Sequence, residues 1–309
     1  MLPQQEDFLL SLKANNYSLE TIYNYEQDLI IFDLFLKNDV KISFNQITKK
    51  TIDIYKAFLT SRDRKTPKLK KETKQLSAGS VNRMLSTLRR YLGYLGDMDY
   101  AIPISPDAIK LVTMPHPHPR VAELDALIEL IESPTKFEKT KELKLRNRAI
   151  LETLFSTGMR ISELVSLNRN QIDKTGRVFI RGKGKKERFV YLTARAYEHI
   201  KFYLAMRTDE HTALFIPYRG RNVKKTTSRI SPNYVQMKMK VYRERLGINV
   251  PTSPHSMRHG FATYLAEQGA NPAAIQILLG HESLQTTTRY VHASDKYAEK
   301  THKDFHPLK

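Results

Sequence analysis

His255, Arg258 and His259 fall together in the segment HSMRHGFATYL. On a helix, positions i, i+3 and i+4 are neighbours, so the three side chains share one face. Two imidazoles around a guanidinium suit a phosphodiester, whose cleavage needs cations on the nonbridging oxygens, an acid for the leaving oxygen and a nucleophile. Alone, this spacing is a modest signal, since a surface helix with incidental polar residues reads the same way. Against that plain reading, the same helix is expected to bury Phe261 and Leu265 while aiming its cations elsewhere.

Three more segments add to the set. In LFSTGMRISEL, Gly158 ends one helix and Arg160 opens the next; a cation at a helix N-terminus is unfavourable unless something anionic sits there. Glu163, early in that helix, is placed to accept from nearby backbone amides. In RGKGKKER, Lys183 stands between Gly182 and Gly184 at the tip of a hairpin, where the backbone can approach a ligand closely. Such basic hairpins ordinarily only touch phosphates, and Lys185, Lys186 and Arg188 are expected to do so; a lysine that reaches the scissile phosphate can also act as a general acid. In LLGHESLQTTTRYVH, Gly280 reads as a helix C-cap that places His281 at a turn. Tyr290 then reads either as a core residue or as a nucleophile. The second suits DNA, because a phosphotyrosyl ester conserves the energy of the broken bond.

The elements that must hold these residues are mostly helices. Apolar periodicity predicts helices over residues 4–14, 18–37 and 48–60, then a fourth from Ser77 carrying Val81, Leu85, Leu88, Leu92 and Leu95. That fourth helix also carries Arg83, Arg89 and Arg90, candidates for a nucleic-acid groove, although a solvated face is the commoner reason for such charges. Residues 103–119 hold five prolines and are assigned to a linker; the His residues within PHPHP are read as part of that extended segment and not as metal ligands. Further helices are expected over 121–132, 143–156, 194–206, 231–246, 256–268 and 272–279, with strands at 177–181 and 188–192.

Composition sets the outer bounds. The chain has 309 residues and a net charge of +19, which points to a polyanionic partner. Residues 1–119 carry +4 of that charge and the rest +15, too uneven for a mere solubility surplus. With no Cys, disulfides, thiolate zinc sites and cysteine nucleophiles are excluded. No apolar run is long enough for a membrane span, and Glu6 and Asp7 stand where a signal peptide wants positive charge. A cytoplasmic, nucleoid-associated protein with no cofactor and no metal is the expectation. A metal-dependent phosphodiesterase built on His255, His259 and His281 would lack nearby carboxylate ligands.

In order and spacing, TGMRISEL, GKGKKER, HSMRHGFATYL and LLGHESLQTTTRYVH resemble the tyrosine recombinases of the phage integrase superfamily, above all the Xer-type enzymes that resolve chromosome dimers. The resemblance covers nearly the whole chain. It implies a mainly α protein: a helical, SAM-like core-binding domain at 1–112, a linker at 103–119, and a mostly helical catalytic domain with a small β-hairpin at 120–309, together forming a C-shaped DNA clamp. It further implies that Arg160 and Arg258 clamp the phosphate, Lys183 protonates the departing 5′ oxygen, His255 assists proton transfer at the tyrosine, His281 donates to the phosphate, and Tyr290 forms a 3′-phosphotyrosyl intermediate. Type IB topoisomerase-like chemistry then proceeds through a Holliday junction. The implied partners are double-stranded DNA with inverted half-sites, three further protomers (identical, or including a paired recombinase) and an accessory regulator; residues 295–305 would form an exchange helix. A phage or mobile-element integrase is the runner-up, and a non-catalytic DNA-binding protein is opposed by the intact residue set. Met257, where Leu is frequent, is a volume-conserving departure; the Leu308–Lys309 ending and the long basic loop 62–75 depart further from the family pattern.

Overall fold

The structure, a computed structural model, describes residues 1–61, 75–114, 122–181, 187–220, 223 and 228–280. It divides into two compact units, Met1–Pro117 and His118–Lys309. The first is all helical: α1 (Gln5–Ala14), α2 (Leu19–Phe35), α3 (Lys49–Thr60) and α4 (Ala78–Asp97). Hydroxyl side chains start three of these helices: Ser18, Thr48 and Ser77 each accept from a first-turn amide that has no partner inside the helix. Phe8, Phe32, Phe35, Tyr55 and Tyr91 fill the interior with Leu85, Leu88 and Leu92. The period expected to run to residue 37 stops at Phe35, and a π turn follows over Leu36–Val40.

Two expectations in this unit change. Residues 103–112 are packed structure and not free linker: a 3₁₀ turn spans Pro106–Ala108, Ile109 is fully buried, and the Asn82 side-chain amide both donates to and accepts from the Val112 backbone. An amide side chain pairs a lone backbone segment as a neighbouring strand would, which Pro spacing does not disclose. The α4 arginines, expected to face nucleic acid, are partly engaged inside the unit. Arg83 lies 2.5 Å from Asp28, which also accepts from Thr87, and Arg89 reaches Asp107 at 3.3 Å; Arg90 is exposed.

The second unit contains α5 (Leu124–Phe137), α6 (Lys141–Thr157), α7 (Ile161–Ser166), the hairpin β1 (Arg177–Arg181) and β2 (Glu187–Tyr191), α8 (Ala194–Met206), α9 (Pro232–Arg245), α10 (Pro254–Glu267) and α11 (Pro272–Leu279). α6 is its axis, with Ala149, Ile150, Leu151 and Leu154 buried and α5, α8 and α10 around it. α5 outruns the expected residue 132 because Pro134, which offers no N–H, is accommodated: the Leu130 carbonyl it would leave unpaired accepts from the Ser133 hydroxyl at 2.7 Å. The strands pair antiparallel, Val178 opposite Val190 and Ile180 opposite Arg188. Among the described residues no helix is long and apolar enough to cross a membrane.

α6 ends at Gly158, whose φ of 60° is left-handed; an added Cβ would stand 2.4 Å from Cδ1 of Phe261 on α10. Gly158→Ala is expected to lower unfolding free energy by about 3 kcal/mol, from backbone strain plus overpacking, read by denaturant titration; a loss below about 1 kcal/mol would contradict this packing. Asp28 is a buried carboxyl whose pKa burial raises, Arg83 opposing. Because Arg83 is half exposed, Arg83→Met should cost about 1–2 kcal/mol. Unchanged stability with weakened DNA binding would instead favour a groove contact.

Candidate active site

Three arginines from three elements converge on the last turn of α11. Carbonyls at a helix C-terminus have no partner within the helix and carry the negative end of its dipole, so they attract guanidinium groups. Here three consecutive ones are taken. Arg188 Nε donates to Leu278 O at 2.8 Å, Arg258 Nη2 to Leu279 O at 2.6 Å, and Arg160 Nη2 to Gly280 O at 3.3 Å. Gly280 closes the helix at φ 64°, ψ 50°, as expected of the C-cap, and the next residue is His281.

Arg258 projects from α10, which Ser253 caps and Pro254 opens. The expectation that this helix aims Arg258 away from the core is corrected: Arg258 is only 4% exposed and its other terminal nitrogen donates to Gly158 O at 2.8 Å. It therefore joins the C-termini of α6 and α11. Arg160 precedes α7, and its conflict with that helix's dipole is relieved from within: Glu163 accepts from the Arg160 amide at 2.7 Å and from Arg160 Nη1 at 3.1 Å. At 37% exposure, the Arg160 side chain still faces solvent.

Arg188, expected to contact phosphate, is placed otherwise. Its side chain is 9% exposed, and its two terminal nitrogens lie 2.9 Å from the two oxygens of Glu163. The cause is register: Val178, Ile180 and Val190 point into the core, and Arg188, opposite Ile180, shares their face. Burial pushes the Glu163 carboxyl up, but the Arg188 hydrogen bonds, the Arg160 amide and the two cations together outweigh it and hold the pKa below the ordinary range. Strand alternation could have revealed Arg188 as inward; nothing local could have named Glu163 as its partner.

His255 and His259 meet at 2.6 Å between their Nε2 atoms, with the rings nearly perpendicular. One nitrogen must donate and the other accept, so both rings can be neutral but not both charged. Burial, then Arg258 and Arg160, lower the His255 pKa; burial, then His255 and Arg258, push His259 down to about 4. The structure thus brings Arg160, Arg258 and His255 into one electrostatic neighbourhood. Lys183, Lys185, Lys186, His281 and Tyr290, and with them the exchange helix at 295–305 and all but Gln75 of the basic loop at 62–75, lie outside the described residues. A cavity of about 630 Å³ elsewhere in this unit, against Arg146, Tyr218, Tyr234 and Tyr242, includes none of the three arginines.

A histidine whose folded pKa is depressed refuses protons that the unfolded chain accepts. Stability is therefore complete above about pH 6.5 and falls as the pH drops toward 4. His259→Phe should flatten part of that fall, followed by denaturant titration at stepped pH. Parallel curves for the variant and the parent would sink the assignment.

Two family models match the chain: the phage integrase family over residues 121–297, and the phage integrase N-terminal SAM-like domain over 6–97. The chain is similar to tyrosine recombinase XerC of Staphylococcus aureus (strain MRSA252), with 32% identity covering 98% of this chain and 96% of the relative. It is 37% identical to tyrosine recombinase XerC of Thermodesulfovibrio yellowstonii over 75% of this chain and 77% of that one. Its fold is like that of XerH site-specific recombinase bound to difH substrate in a pre-cleavage complex, with TM-score 0.70 and 22% identity over 95% and 82% of the two chains. It is also like that of a lambda integrase dimer bound to a core site, with TM-score 0.70 and 15% identity over 93% and 75%. With a family match over its C-terminal unit and relatives aligned almost end to end, the chain belongs to the phage integrase family and is a tyrosine recombinase, an enzyme that cuts and rejoins DNA.

Proposed function

We propose that this recombinase is Xer-type, acting at a specific double-stranded DNA site with inverted half-sites to resolve chromosome dimers. The observation that carries the reading is the near end-to-end similarity to XerC recombinases, and the shared anchoring of Arg160 and Arg258 on the last turn of α11 supports its chemistry. In this reading residues 1–112 form the core-binding domain and 120–309 the catalytic domain. The protein works in the cytoplasm on the nucleoid, as a tetramer of identical subunits or one shared with a paired recombinase, under an accessory regulator.

The chemistry follows from the groups available. The Tyr290 hydroxyl attacks phosphorus, its proton passing toward His255, whose pKa is lowered by burial, Arg258 and Arg160, which favours its neutral, proton-accepting form. Arg160 and Arg258 balance the charge that grows on the nonbridging oxygens, and His281 adds a hydrogen bond there. The P–O5′ bond breaks as Lys183 gives its proton to the leaving oxygen, producing a 3′-phosphotyrosyl ester and a free 5′ hydroxyl. Attack by the 5′ hydroxyl of a partner strand reverses the step and exchanges strands through a Holliday junction. The bond count is conserved, so no ATP is required.

The test is covalent trapping on a nicked suicide DNA substrate in EDTA, read as a protein–DNA adduct on a denaturing gel. The parent protein should form the adduct and Tyr290→Phe should form none while still shifting DNA in a native gel. Adduct formation by Tyr290→Phe would overturn the nucleophile assignment, and dependence on added metal would overturn the mechanism.

A further inference from the structure

Glu163, Arg160 and Arg188 form a compact group with one carboxylate and two guanidinium ions. Glu163 is 4% exposed and faces a cation on each side: the Arg188 fork at 2.9 Å to both oxygens, and one Arg160 nitrogen at 3.1 Å. The formal sum is one positive charge, and it sits on the exposed member, Arg160. If Arg188 were neutral, the same buried carboxylate would face Arg160 alone. A carboxylate out of water holds the nearest cation tightly, so Arg160 and Glu163 would close into a neutral pair, leaving no net charge for a phosphate.

We propose that Arg188 is a positioning residue that leaves the positive charge of Arg160 uncompensated toward the scissile phosphate, by occupying both oxygens of Glu163. This rests on the reading of Arg160 as a phosphate clamp given above. Arg188 itself touches no DNA in this proposal; it is buried on the core face of β2 and each of its three nitrogens donates to Glu163 or Leu278 O. A lysine there would supply the charge without the fork. The close fit at Gly280, where an added Cβ would come within 3.0 Å of the Arg188 guanidinium, fixes that group against the turn that leads into His281.

Single-turnover cleavage of the suicide substrate by the full chain, with DNA binding measured in parallel, distinguishes charge balance from mere support. Arg188→Met should cleave about 100-fold more slowly, the scale of losing one preorganised charge contact in a transition state, with DNA affinity nearly unchanged. Arg188→Lys should recover most of that rate. The decisive variant is Glu163→Gln combined with Arg188→Met: with the carboxylate removed, the charge of Arg160 is no longer cancelled, and cleavage should rise at least tenfold over Arg188→Met. A double variant no faster than Arg188→Met means that Arg188 only supports the fold, and the proposal falls. If Arg188→Met fails to fold, the double variant is compared with Glu163→Gln alone, and a loss beyond about tenfold between them overturns the proposal. Arg160→Met separates the two levels: parental cleavage by that variant would refute the reading of Arg160 itself. An inactive Arg160→Met beside a fully active Arg188→Met would refute the charge-balancing role alone.

Discussion

The negative end of one short helix organises the second unit. α11 has eight residues, and its last carbonyls are claimed by arginines from before α7, from β2 and from α10. Each arginine is far from the others in sequence, and each arrives carrying a second obligation: Arg258 to Gly158, Arg188 and Arg160 to Glu163. Three like charges so close repel one another. The assembly persists because one buried carboxylate and a row of aligned carbonyl dipoles compensate them.

Behind this face, a polar network ties α6 to α9. Arg146, 1% exposed, donates to the Asn147 side chain at 3.0 Å and to Ile216 O at 2.9 Å and lies against the rings of Tyr218 and Tyr234. Asn147 in turn donates to Tyr242, and Glu138 receives Asn147, Tyr242 and Lys238. Polar networks of this kind specify one arrangement of their helices more sharply than apolar contacts do.

Much of this was legible in the residues alone. Periodicity located α8 and α11 at their observed limits and the strands to within a residue, because caps such as Thr193 and prolines such as Pro272 mark where helices begin. Gly158 and Gly280 were readable as helix ends since both need a left-handed backbone. What escaped was partner choice. Arg83 and Arg188 looked like free cations because a linear sequence records charge but not the carboxylate 55 or 25 residues away that neutralises it. The i, i+4 spacing of His255 and His259 did place the two imidazoles side by side, but not the direct contact between their Nε2 atoms. Proline composition, likewise, hid the packing of residues 103–112, which rests on the buried Ile109 and on the Asn82 side chain.

The fixed turn at Gly280 also sets a tether. Ten residues connect it to Tyr290, so the Cα atoms of Gly280 and Tyr290 can lie no more than about 36 Å apart. The arginines on the last turn of α11 therefore hold more than one another: they fix the point from which the rest of the chain sets out, and loosening that turn would release its origin.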